Sequence, residues 1–317
     1  MPTPSRREIR KSLTTNFNPG AAYYKQRALL RGGQLLHYPG WLRGGRLDRP
    51  VFVLGAPRSG TTLLYRVLRV HRELAHWRPS EAHEVWELDY HPALRGWESN
   101  VLTEADLNEE AARRIHRSFY LVAGDGRRFV DKTPRNTLRV PFMEALFPDA
   151  RYVFLRRDGR ENVNSLINAW RSPRYRVYRL PEPHSIPGAD PSWWKFVLYP
   201  GWREDTSGPL EVVCAKQWAL SNRYALESAG AAPPERWIDV GYEDLVDDPA
   251  AVVANILERL ELPPDAGVRR AAEGVRSTPV NVVTPPERGK WKRENPQEIA
   301  RIEPLIESEM KRMGYLS

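Results

Sequence analysis

The run Gly55-Ala-Pro-Arg-Ser-Gly-Thr-Thr62 directly follows the apolar segment Val51-Phe-Val-Leu54 and precedes Leu64, Val67, Leu68 and His71, which recur at helical spacing. A strand, a glycine-bearing loop and a helix in that order make a phosphate cradle. The glycines let the backbone close on an anion, and amides at the helix's positive end donate to it. Gly55 and Gly60 stand where a nucleoside-triphosphate loop, G-x-x-x-x-G-K-[ST], has its glycines, but Thr61 replaces the lysine and the cation is Arg58. Arg58, Ser59, Gly60, Thr61 and Thr62 are the expected phosphate ligands. With no lysine for the outer phosphates, and no clear Asp-ended apolar strand for magnesium, a nucleotide with one 5′-phosphate fits better than a triphosphate. The bland alternative is an ordinary strand-to-helix turn.

The chain has 317 residues, 41% hydrophobic and 28% charged, enough for one large α/β domain with a substantial core. A single cysteine, Cys214, excludes an intramolecular disulfide framework and suits a reducing compartment; it reads as a small buried apolar residue. No apolar run reaches the ~18 residues of a membrane-spanning helix, and the first twenty or so residues lack the apolar core of a secretion signal. A cytoplasmic location is expected.

The net charge of +8 is concentrated in residues 1–50, which hold ten Lys or Arg against Glu8 and Asp48. Residues 1–49 therefore read as a basic N-terminal arm, interleaved with Tyr23, Tyr24, Leu29, Leu30, Leu35, Leu36, Trp41 and Leu42. Such an arm suits peripheral contact with an anionic membrane or a polyanion, or packing against the remainder of the chain. No nucleic-acid-binding module is recognised in it.

Further short apolar runs at Phe129-Val130, Tyr152 to Leu155 and Trp237 to Val240 alternate with helical patterns, which predicts an α/β fold with a mostly parallel central sheet flanked by helices. Val163, Leu166, Ile167 and Trp170 share one helix face; Val253, Ile256, Leu257 and Leu260 share another. Between residues 171 and 209, seven prolines and Trp193, Trp194 and Trp202 predict a long surface excursion. There is no internal repeat.

Four segments in order resemble the sulfotransferases that use 3′-phosphoadenosine 5′-phosphosulfate (PAPS), particularly the tyrosylprotein-sulfotransferase-like branch. Val51 to Leu64 is similar to that branch's 5′-phosphosulfate loop. Ala150 to Ser165, containing Arg157-Asp-Gly-Arg160, resembles the 3′-phosphate element. Trp237 to Val246 resembles the strand carrying an adenine-contacting tyrosine. Pro279-Val-Asn281 through Gly289-Lys-Trp291 is similar to the C-terminal nucleotide segment. The resemblance implies a P-loop-like sulfotransferase domain over residues 50–317, with PAPS as donor, adenosine 3′,5′-bisphosphate as product and no metal.

It further implies Arg157 and Ser165 on the 3′-phosphate, Tyr242 at adenine and Lys290 closing over the nucleotide. A guanidinium fork at a strand end and a hydroxyl on the next helix independently suit one phosphate, although an Arg-Asp-Gly-Arg turn also makes structural salt bridges. The family's further arginine falls at Ala169 here, with Arg171 nearby. Lys132 resembles the transition-state lysine, assisted by Arg58, and Ser277 a serine that stabilises the sulfuryl group. A solvent-facing Lys132 paired with Asp131 is the ordinary alternative. Glu81 is the favoured base, with Glu84 and His83 as alternatives.

Sulfuryl transfer moves a group of dispersed negative charge in line between two oxygens, so positioning and charge neutralisation suffice. The seven histidines show no metal-ligand spacing. The expected acceptor is a hydroxyl compound: a glycan, glycolipid or secondary metabolite, in a pocket that Trp77, Trp86, Trp193, Trp194 and Trp202 could line, with core packing and loop cover the default for most of these rings. Competing readings are an ATP-dependent phosphotransferase and a non-catalytic nucleotide- or polyanion-binding protein.

Overall fold

The apolar runs become adjacent parallel strands in the computed structural model, which describes residues 5–9, 21–79, 81–275, 283 and 287–317. In chain order the strands are β1 (Val51–Leu54), β2 (Leu74–His76), β3 (Arg128–Lys132), β4 (Arg151–Arg156), β5 (Arg176–Arg179), β6 (Trp193–Lys195) and β7 (Trp237–Gly241). Five of them form one sheet in the order β2-β3-β1-β4-β7, every neighbouring pair parallel. Strand β2 was not foreseen.

The first helices are α1 (Ala21–Leu42), α2 (Thr61–Leu68), α3 (His83–Tyr90), α4 (Glu109–Ala123), α5 (Val140–Leu146) and α6 (Gly159–Arg171). After them come α7 (Leu210–Ala231), α8 (Tyr242–Asp247), α9 (Pro249–Arg259), α10 (Ala266–Glu273), α11 (Trp291–Glu294) and α12 (Pro296–Arg312).

Alternation along the strands sorts the core into two layers. Phe52, Leu54, Phe129, Tyr152, Phe154 and Trp237 lie in an aromatic layer shared with α4 to α7. Val51, Val53, Val130, Val153, Leu155, Ile238 and Val240 lie in an aliphatic layer with α2, α9 and α10. Both faces are buried, as a parallel sheet requires, and each fully buried Phe or Leu contributes about 1.5–3 kcal/mol. Val163, Leu166, Ile167 and Trp170 are all buried on α6, as their spacing predicted. Helix α2 stops at Leu68, and His71 lies beyond it, buried with Nε2 2.9 Å from the Pro263 carbonyl.

For the arm the packing alternative is realised, and the excursion is more regular than expected. Residues 21–42 of the arm are a helix whose inner face packs on α4, with Leu30 buried and the Trp41 and Tyr120 rings 5.7 Å apart. Its outer face exposes Tyr24, Leu29, Leu35, Leu36 and Leu42. The 171–209 excursion is partly regular: β5 and β6 pair antiparallel, and buried Trp194 packs 5.3 Å from Trp170 and 4.9 Å from Trp202, centroid to centroid. Cys214 is buried and unpaired, and burial pushes its thiol well above the ordinary value.

Candidate active site

Strand β1 lies at the centre of the sheet, with β3 on one side and β4 on the other. The crevice at the carboxyl ends of such strands is where open α/β sheets bind ligands. The Gly55–Gly60 loop leaves β1 there, Lys132 ends β3, Arg157 follows β4 and Tyr242 follows β7.

The loop needs both glycines. A Cβ on Gly55 (φ +155°) would lie 2.7 Å from the Leu155 carbonyl oxygen, and one on Gly60 (φ +98°) would lie 2.5 Å from Tyr242 Cδ2. Arg58 also takes positive φ, +72°. Buried Asn162 ties the loop from α6: its amide donates to the Pro57 carbonyl at 2.9 Å and accepts from the Ser59 N–H at 3.1 Å. Ser59 Oγ donates to the Ala56 carbonyl at 2.7 Å, so this hydroxyl braces the loop rather than presenting its proton to an anion. Among the described residues no side chain caps α2, whose positive end suits an anion.

Arg58 and Arg157 share one corner of the crevice. Arg157 donates to the Arg58 carbonyl at 2.9 Å and lies 4.4 Å over the Tyr242 ring, which in turn rests on Gly60. Arg58 Nε donates to Ser165 Oγ at 3.3 Å, and its guanidinium stacks 4.8 Å over Tyr175. Burial, together with neighbouring Arg157 and Arg174, holds Arg58 below its ordinary pKa, Tyr175 opposing. Arg157 Nε is buried without a hydrogen-bond partner among the described residues. An orphaned guanidinium N–H beside a hydroxyl and a second guanidinium, next to a cradle that a Cβ would fill, fits a phosphorylated nucleotide.

Arg160 is committed elsewhere. Its guanidinium bonds Asp158, which caps α6 by accepting from the Arg160 N–H at 2.8 Å, so the structural reading of that turn holds for Arg160 and not for Arg157. Ala169 is buried, and Arg171 is engaged by Asn295, to which it donates at 2.8 Å, and by Glu298 at 3.4 Å. No motif marks Asn162 or Tyr175, whose contribution depends on tertiary contact.

On the other side of the loop, Lys132 is 2% exposed; its Nζ donates to Thr62 Oγ1 at 2.9 Å and pairs with Glu81 Oε1. The solvent-facing alternative for Lys132 fails, because Asp131 turns inward: it accepts from the Ala82 N–H at 3.2 Å, Trp86 Nε1 at 2.9 Å and Asn136 at 3.2 Å. His83 Nε2 lies 2.7 Å from Glu81 Oε2. Burial alone would raise the Glu81 carboxyl, but Lys132 and His83 outweigh it and hold it well below the usual carboxylate range. Glu84 is engaged apart from this group, accepting from Trp77 Nε1 at 2.7 Å and pairing with Arg27 of α1.

Lys290 is largely buried and lies 3.4 Å from Glu294, while the Gly289 N–H donates to Glu161 from α6. Ser277 lies outside the described residues. Four of the tryptophans take the core-packing default: Trp77, Trp86, Trp194 and Trp202 are buried, with indole N–H groups donating to Glu84, Asp131, Val197 and Trp97 respectively. Trp193 is half-buried.

Together the parallel sheet and its anion loop define a P-loop-like α/β protein of the sulfotransferase type. The sulfotransferase family model matches residues 50–183 and 191–266, and the chain belongs to that family. It is 25% identical over 240 residues to protein-tyrosine sulfotransferase A of Caenorhabditis elegans, covering 68% of this chain and 50% of that protein. Against protein-tyrosine sulfotransferase 1 of Danio rerio, identity is 26% over 316 residues, 91% of this chain and 78% of the relative. The chain thus spans half the length of the nematode relative. Among solved structures, sulfotransferase STF9 from Mycobacterium avium superposes with a TM-score of 0.55 at 16% identity, covering 89% of this chain and 81% of that one, which supports the fold.

Proposed function

We propose that this chain transfers the sulfuryl group of PAPS to a hydroxyl acceptor. The observation that carries the reading is the Lys132 ammonium, which joins Glu81 to the anion loop through Thr62. A base, a cation and a phosphate cradle therefore meet at one place.

In this reading the loop amides with Thr61 and Thr62 hold the 5′-phosphosulfate, and Arg157, Ser165 and Arg58 hold the 3′-phosphate. Tyr242 and Lys290 flank the nucleoside. Glu81 accepts the acceptor's hydroxyl proton while the acceptor oxygen bonds to sulfur and the bond from sulfur to the bridging oxygen breaks. Lys132 neutralises the charge that collects on that bridging oxygen, and Arg58 supplies positive charge from the loop. Adenosine 3′,5′-bisphosphate leaves. A carboxylate held as acidic as Glu81 is a weak base, so Lys132 must exchange Glu81 for the bridging oxygen before proton transfer; that exchange raises Glu81's basicity when the donor is in place.

The acceptor class we favour is a glycan, glycolipid or secondary metabolite, in a cytoplasmic setting with peripheral contact at an anionic membrane through the arm. The lone buried cysteine and the exposed leucines of α1 support the setting; among the described residues no helix is long and apolar enough to cross a membrane. Incubation with 35S-labelled donor and a fractionated extract tests the activity. Labelled acceptor should form with wild type and fall at least about a hundredfold with Glu81→Gln or Lys132→Met. Label transfer undiminished in both variants would refute the assignment.

A further inference from the structure

We propose that His83 is a positioning residue for Glu81, and that Arg135 fixes which of its ring nitrogens carries the proton. The proposal rests on the reading of Glu81 as the base. Arg135 contacts His83 Nδ1. A guanidinium only donates and stays charged, so Nδ1 must be the acceptor, and the imidazole hydrogen is on Nε2. That nitrogen faces Glu81 Oε2 at 2.7 Å. His83 therefore donates to the carboxylate.

Arg135 is itself held by the core. It is 6% exposed, with Nε 3.0 Å from Glu87 and its guanidinium 5.5 Å over the Tyr178 ring. The Tyr178 hydroxyl accepts from Asn100 at 2.7 Å and lies 3.4 Å from Glu87. A continuous polar chain thus runs from the buried Glu87 through Arg135 and His83 to the rim, where the His83 side chain is 36% exposed and that of Glu81 18%.

The two oxygens of Glu81 are held differently, Oε1 by Lys132 and Oε2 by His83. Once Lys132 turns to the bridging oxygen, His83 is the contact that keeps the carboxylate aimed at the acceptor. Removing it should lower turnover without touching nucleotide binding, because the hydrogen-bond and ion-pair contacts of His83 are to Arg135 and Glu81 and not to the Gly55–Gly60 loop or the Arg157 corner among the described residues.

The test compares full-length wild type, Glu81→Gln, His83→Leu and His83→Gln. The probe is release of labelled sulfate from 35S-PAPS with water as acceptor, read as kcat and KM, alongside calorimetric affinity for adenosine 3′,5′-bisphosphate. His83→Leu should lose about ten- to a hundredfold in kcat, the scale of one hydrogen bond to a charged group, with KM and bisphosphate affinity within about twofold of wild type. His83→Gln should recover most of it, because an amide can donate to Glu81 and accept from Arg135 together. A wild-type kcat in His83→Leu, a His83→Gln variant as slow as His83→Leu, or a loss confined to nucleotide affinity each overturns the proposal. Undiminished kcat in Glu81→Gln instead overturns the base assignment on which it rests.

Discussion

Gly60→Ala connects backbone strain to ligand recognition through one aromatic ring. The alanine must hold φ near +98°, which costs about 1–2 kcal/mol of stability. Its Cβ would also stand 2.5 Å from Tyr242 Cδ2 and 2.6 Å from Cε2. Ordinary carbon contacts need about 3.5–4.0 Å, so the ring must move by about 1 Å or more. Arg157 lies 4.4 Å over that ring, a contact of about 0.5–2 kcal/mol, and a displaced ring withdraws the support that aims the fork. At 1.4 kcal/mol per tenfold, affinity for adenosine 3′,5′-bisphosphate should fall about 2- to 30-fold in calorimetric titration. Gly96→Ala is the control, since Gly96 has φ +64° with nothing within 4 Å of a built Cβ: it should lower Tm and leave the affinity unchanged. Gly60→Ala binding the bisphosphate within twofold of wild type would refute the coupling from Gly60 through Tyr242 to Arg157.

Three other perturbations probe neighbouring parts of the site. Asn162→Leu removes both hydrogen bonds that Asn162 makes to the loop while keeping the branched heavy-atom shape, so it should cost about 1–3 kcal/mol in denaturant unfolding; an unchanged midpoint would mean that the loop is braced by other contacts. Arg157→Lys replaces a fork with a point charge and should weaken the 3′,5′-bisphosphate about tenfold while leaving adenosine 5′-monophosphate unaffected; equal losses for the two nucleotides would remove Arg157 from the 3′-phosphate. Because the Glu81 carboxyl is depressed when folded, its stabilisation is complete above its unfolded value near 4.5 and is lost as pH falls toward the lower folded value. The Tm difference between wild type and Glu81→Gln should accordingly be steady above about pH 5.5 and shrink on further acidification; a difference that stays constant down to pH ~3 contradicts the ion pair.

The elements built from contiguous residues were readable in advance. Val51 to Thr62 carries its strand, glycines and hydroxyls in one run, and Phe129 to Lys132 and Tyr152 to Arg157 each place a cation at the end of an apolar segment. Strand β2 escaped because its three residues, Leu74-Ala-His76, give no periodic signal, although β3 pairs with them. The contacts of Ser59 and Arg58 were not legible for a local reason: Arg58, at positive φ, directs its guanidinium toward Ser165 and Tyr175, while the Ser59 hydroxyl turns back to Ala56. Trp77, Trp86, Trp194 and Trp202 follow the core-packing default, each indole N–H finding a partner inside the fold, and the sequence cannot reveal which partner. The chain from Arg135 to His83 joins a turn after β3 to the start of α3, far apart in sequence and adjacent only once the sheet has formed.

Central to the account is a single crevice that grips both phosphates of one adenosine, and a structure of the adenosine 3′,5′-bisphosphate complex addresses it most directly. The 5′-phosphate should lie against the Gly55–Gly60 loop and the 3′-phosphate on Arg157 and Ser165, with the Lys132 ammonium turned from Glu81 toward the 5′ end. A nucleotide bound elsewhere, or one whose 3′-phosphate makes no contact with Arg157, would contradict it.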